Sequence, residues 1–208
     1  MGDRAELAYN RTRQELCELG LLADDVYLDE IELYVSVLRE NWPGSGAHGW
    51  VYDRGSSFWG GLLGFRGGVI YLATQSASSN LNQAYTLTDV VRHEFAHAWY
   101  WIDPKFVDGP WFKKAFGLPY ASDPDEFGST VWSAFESHPK EFKRSGYAQD
   151  YITPYAMFSP FEDFAETFAW LLRNRRSIHK LKSRPGAYRK VRAVSDAIHR
   201  KAKVLGLD

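Results

Sequence analysis

Cysteine is almost absent: Cys17 stands alone in 208 residues. No intrachain disulfide can form, which fits a reducing compartment without demanding one. A lone thiol of this kind is usually a small buried hydrophobe, with a plug on the protein's own metal as the rarer use. No apolar signal core follows the opening Met1-Gly-Asp-Arg-Ala-Glu6. Nor does any run approach the ~20 apolar residues that a membrane span needs. The expectation is therefore a soluble cytoplasmic protein without a membrane partner, although a secretion route that needs no cleavable signal would leave no trace. Internal repeats and low-complexity tracts are also missing. The glycines from Gly60 to Gly68 are followed by neither Lys-Ser/Thr nor a helix start. That excludes a phosphate-cradling loop and leaves them as turn and bulge residues.

Net charge is nearly absent too, at −1, but it is unevenly spread. From Arg173 to Asp208 there are twelve Lys/Arg against two Asp, and residues 1–172 hold thirteen Lys/Arg against twenty-four Asp/Glu. An acidic body thus carries a basic tail. The tail raises nucleic acid as a partner, but several of its charges lie on helical faces, where a solvated surface is the ordinary explanation. Aromatic residues are abundant, with eight Trp, twelve Tyr and thirteen Phe. The chain is long enough to bury a core, and one domain over 1–208 is expected. Within it, 1–103 reads as a sheet with an active-site helix and 104–208 as a helical subdomain.

Residues 3–19 read as a helix stopped by Gly20. Residues Ile31 to Val37 alternate as a half-buried strand does, with a helix as the competing reading. Gly49–Asp53, Ser57–Phe65 and Gly68–Thr74 read as further strands joined by glycine turns. Short helical pieces are expected near Trp111–Phe116 and Phe127–Ser137. Helices follow from Ser159 to Leu172 and from about Tyr188 to Leu205. The predicted fold class is α+β, zincin-like, with a small, mostly antiparallel sheet packed on the active-site helix.

That helix is the centre of the pattern. In Thr86 to Asp103 the apolar residues Leu87, Val90, Val91, Phe95, Ala98 and Ile102 recur at helical spacing. Thr86 with Asp89 predicts a capping-box start, and Asp103-Pro104 an end. On such a helix His93 and His97 are one turn apart and share a face. Two imidazoles so placed can grip one zinc ion, and Glu94 lies beside them to handle a proton. The ordinary alternative is a pair of core histidines bonded to carbonyls, but an apolar helix gains nothing by burying them.

A catalytic zinc site uses three protein ligands. His138, His179, His199 and the acids are the candidates, and Glu162 and Glu166 stand out, one turn apart among Phe161, Phe164 and Phe168. Carboxylates beside apolar neighbours call for a cation. Otherwise Glu162 is the capping partner of Ser159, and Glu166 an exposed partner of Arg173 or a neighbour.

His93-Glu94-x-x-His97, followed by Glu162-Asp-Phe-Ala-Glu166, resembles the gluzincin branch of zinc metallopeptidases. Within that branch the pattern is most similar to catalytic domains of the anthrax lethal factor type, in which a tyrosine precedes the first glutamate by seven residues. Tyr155 has that offset here. The resemblance covers the two helices and little else. It implies Glu162 as the third zinc ligand, Glu166 as a support bonded to a ligand histidine, and Tyr155 as catalytic. The family's substrates do not carry over.

The chemistry expected is hydrolysis of a peptide bond in a peptide or protein substrate by a zinc metalloendopeptidase. Zinc activates the water, Glu94 takes its proton as general base, and Tyr155 helps to hold the oxyanion. Tyr155 as plain aromatic packing is the other reading. Two rivals stand beside this one: a DNA-associated zinc protease with a third histidine ligand, and a catalytically silent, zinc-stabilised binding module.

Overall fold

The computed structural model describes residues 2–22, 28–29, 31–36, 49–53, 68–73, 86–107, 109–117, 149–153, 155–157 and 159–206. The expected strand at Ser57–Phe65 and helix at Phe127–Ser137 lie outside them. Two compact units are formed, one from Met1–Val107 with Ile198–Asp208, the other from Asp108–Ala197.

The first unit opens with helix α1, Gly2–Cys17. Its buried residues Ala5, Ala8, Thr12, Glu15 and Leu16 recur at steps of three and four, the stripe of an amphipathic helix. Gly20 ends it at φ 69°, a left-handed conformation that favours glycine. The Leu21 N–H then bonds back to the Leu16 carbonyl and the Gly20 N–H to that of Cys17. Cys17 falls off the buried stripe and is exposed, a correction to its expected burial.

Among the described residues three short strands follow: β1 Glu32–Ser36, β2 Gly49–Asp53 and β3 Gly68–Ala73. Their order is β1-β3-β2, with β1 parallel and β2 antiparallel to β3. The expected α+β, zincin-like fold with a mostly antiparallel sheet is therefore corrected. The described residues are predominantly helical, and half of the strand pairings are parallel. Side-chain alternation marks a strand but carries no direction. The long stretch between β1 and β3 permits the crossover that a parallel pair requires.

Helix α2 spans Leu87–Ile102 and starts with the predicted capping box. The Asp89 N–H donates to the Thr86 hydroxyl (3.3 Å) and the Thr86 N–H to the Asp89 carboxylate (3.0 Å). Val90, Val91, Phe95, Ala96, Ala98 and Trp99 are buried. Arg92, also buried, donates from Nε and Nη2 to both carboxylate oxygens of Glu15 on α1 (2.8 and 2.6 Å), and from Nη1 to Asp89 (2.6 Å). Burial works to lower the Arg92 pKa, but the hydrogen bond to Glu15 and the charges of Glu15 and Asp89 outweigh it, holding the guanidinium above its ordinary value. The clamp ties α1 to the turn of α2 that precedes His93. At the other end, Asp103 accepts from Phe106 N–H (3.2 Å) and from Lys201 (2.6 Å). A one-turn helix α3, Pro104–Val107, follows.

In the second unit, α4 spans Pro110–Phe116, with a proline in its first turn. Phe112 and Phe116 pack on Phe164 of helix α5, Pro160–Asn174, with ring centroids 5.7 and 5.9 Å apart. A 3-10 helix at Arg175–Leu181 leads towards α6, Pro185–Leu205, whose residues from Ile198 on are counted in the first unit. Pro185 opens α6 three residues before the predicted start; its missing N–H costs nothing there. Asp163 of α5 and Lys190 of α6, both 0% exposed, form an ion pair. Lys190 Nζ also lies 3.9 Å above the Tyr151 ring. Gly186 has no room for a side chain, since a Cβ there would come within 2.8 Å of the Asp150 Cα.

Candidate metal centre

The cap at Thr86 fixes where α2 begins, and so which face each later residue occupies. His93 and Glu94 are buried and His97 half-buried. The Nε2 atoms of His93 and His97 lie 3.0 Å apart, with ring planes at 76°. Two nitrogens on one tetrahedral zinc, each about 2.0–2.1 Å from it, sit roughly 3.3 Å apart. The pair is thus already close to a ligating separation.

Glu162 enters from the first turn of α5. Ser159 is the N-cap, and its hydroxyl accepts from the Glu162 N–H (3.2 Å), with Pro160 as the first helical residue. Capping therefore fixes the Glu162 backbone at the start of α5. One ligand atom each from His93, His97 and Glu162 lies within 4.8 Å of the others, a group that could hold a metal ion. Two imidazole nitrogens and one carboxylate oxygen are a donor set suited to zinc, and three such ligands leave a fourth position for solvent.

Glu94 and Glu166 are not members of that group. Glu94 is buried on α2 and 7% exposed. Glu166 is 2% exposed, which rules out an exposed pairing with Arg173. Its carboxylate accepts from the Thr153 hydroxyl (2.7 Å). Tyr155 is half-buried and opens the 3-10 turn Tyr155–Met157. Of the other histidines considered, His179 and His199 are exposed, and His138 lies outside the described residues. Thr153 had no signal in the sequence beyond its place two residues before Tyr155.

The site is that of a zinc-binding protein: its donor types and their spacing fit that ion. Residues 68–191, more than half of the chain, match the family described as "Putative zinc-binding metallo-peptidase", and the chain belongs to that family. The match takes in α2, Tyr155, Glu162 and Glu166. Zinc is thus the cofactor, and the family is one of metallopeptidases, hydrolases of peptide or protein substrates. No curated protein and no solved structure matches the chain. Among the described residues, no helix is long and apolar enough to cross a membrane.

Proposed function

We propose that this protein is a zinc metalloendopeptidase of the gluzincin type, related in its active site to catalytic domains of the anthrax lethal factor kind. His93, His97 and Glu162 are the metal's protein ligands, Glu94 is the general base, and Tyr155 donates to the oxyanion. The observation that carries the reading is the grouping of two helix-borne imidazoles with one carboxylate. A catalytically silent zinc module would need the same three ligands but gives no reason for a buried glutamate beside the first histidine.

Bound zinc supplies Lewis acidity, which polarises the substrate carbonyl and makes a neighbouring water more acidic. The Glu94 carboxylate takes one proton from the attacking water. As the C–N bond breaks, Glu94 returns that proton to the leaving amine. The Tyr155 hydroxyl donates a hydrogen bond to the carbonyl oxygen as negative charge gathers there. Burial of Glu94 and His93 keeps competing water away from the proton being moved.

The test is incubation of the zinc-loaded protein with a diverse peptide library, with cleavage read by mass spectrometry. Internal cuts that a chelator abolishes are expected, and no cleavage by the loaded protein would contradict the proposal. Tyr155→Phe should keep the fold and the zinc while turnover falls by about 10²-fold, the usual effect of removing one oxyanion donor. Unchanged turnover would remove Tyr155 from the mechanism.

A further inference from the structure

One hydroxyl joins the tyrosine-bearing turn to the helix that carries Glu162. The Thr153 side chain donates its single proton to the Glu166 Oε2 (2.7 Å), and its oxygen accepts from the Ala156 N–H (3.2 Å). A threonine hydroxyl can do both at once. The bond to the carboxylate is charge-assisted and short, and so among the stronger kinds. Glu166 sits one helical turn after Glu162 on α5, so both project from the same side of that helix.

The surroundings hold this link in place. Upstream, the Tyr151 and Ile152 carbonyls accept from the Arg184 guanidinium, and the Tyr151 ring lies against Lys190 Nζ. Downstream, Ala156 and Met157 are buried. Between those anchors, Tyr155 follows Thr153 by two residues and directly precedes the residue whose N–H the hydroxyl receives. Loss of the hydroxyl would strip the turn of its bond at Ala156. It would also remove a hydrogen bond between the turn and α5 and leave a buried carboxylate with one donor fewer.

We propose that Thr153, acting with Glu166, is a positioning residue for Tyr155, setting the height of the tyrosine against the α5 helix that bears Glu162. This rests on the catalytic role given to Tyr155 above. It assigns Glu166 a task on the tyrosine side of the site, distinct from supporting a histidine.

The experiment is a double-mutant cycle on the full zinc-loaded chain, using a peptide that the wild type cleaves. Thr153→Val keeps the shape and deletes both hydrogen bonds; Thr153→Ser keeps the hydroxyl. Thr153→Val should lower kcat by about 10- to 100-fold, as misplacement of a reacting group does, with KM and zinc content little changed. Thr153→Ser should restore most of the rate. Combined with Tyr155→Phe, Thr153→Val should cost nothing further, because the tyrosine hydroxyl it positions is already gone. A second readout needs no activity: 3-fluorotyrosine at position 155 in the metal-free protein should give one narrow fluorine resonance, which shifts and broadens in Thr153→Val and returns in Thr153→Ser.

An equal loss from Thr153→Val with and without the tyrosine hydroxyl, or an unmoved fluorine signal, would overturn the positioning role while leaving Tyr155 in the mechanism. If Tyr155→Phe alone costs nothing, the catalytic assignment falls, and the positioning role falls with it. Should Thr153→Val not fold, Glu166→Gln, which keeps a carbonyl acceptor and removes the charge, must show the same non-additive pattern with a smaller loss; additive losses would overturn the proposal.

Discussion

Glu94→Gln is expected to keep the fold and about one zinc per chain while peptide hydrolysis falls by about 10²–10⁴-fold, the range that a positioned acid–base group contributes. The two side chains have the same shape, so the buried place of Glu94 on α2 can be filled without a cavity. Glutamine is neutral and cannot accept the proton from the attacking water. Because Glu94 is not in the His93–His97–Glu162 group, the metal should stay. Zinc content, thermal melting and kcat/KM on the same preparation check this. Loss of zinc along with activity would mean that Glu94 supports the site's structure. Undiminished hydrolysis would end its role as the base.

Asp163→Ala should cost about 3–5 kcal/mol of stability, the usual effect of removing one partner of a buried ion pair. For a chain of this length that corresponds to a fall in Tm of about 10 °C or more. Lys190 would be left as a buried ammonium, supported by the Tyr151 and Phe116 rings and by the charge of Asp150. In the wild type, burial already pushes the Lys190 pKa below the ordinary lysine value, and the opposing attraction of Asp163 does not fully offset it. The sign for pH follows. Between the depressed folded pKa and the ordinary lysine value, the unfolded chain binds more protons than the folded one. Stability therefore rises with pH across that window, and the window should widen in Asp163→Ala as the folded pKa drops further. Combining Asp163→Leu with Lys190→Met should recover most of the lost stability, since apolar residues of similar size can replace such a pair. Thermal melts of the wild type and the two variants across pH check the prediction. An Asp163→Ala protein as stable as the wild type would contradict the pairing.

What was legible in the sequence was local. Thr86 and Asp89 are three residues apart, so their reciprocal bonds, and with them the start of α2, follow from short-range rules. The one-turn spacing of His93 and His97 is equally local. Ser159 and Pro160 mark the start of α5 for the same reason. The sheet was legible only in part. Alternation located β1 and glycine-bounded runs located β2 and β3, but pairing direction depends on residues far along the chain, and the mostly antiparallel expectation failed at the parallel β1–β3 pair. The described residues are predominantly helical, and the strand expected at Ser57–Phe65, which counted towards the α+β expectation, lies outside them. Long-range partners left no trace. Arg92 and Glu15 are separated by 77 residues and Asp163 and Lys190 by 27. Thr153 and Glu166 are separated by 13, and no periodicity links a threonine before a proline to a glutamate in a later helix.

The proposed chemistry depends on which side chains bind the metal. Zinc K-edge X-ray absorption on the purified, zinc-loaded chain reads them directly. The expected spectrum shows two imidazole nitrogens at about 2.0–2.1 Å, the remaining donors being oxygen, with no sulfur and about one zinc per chain. A spectrum without imidazole scattering, or one with sulfur in the coordination shell, would contradict it.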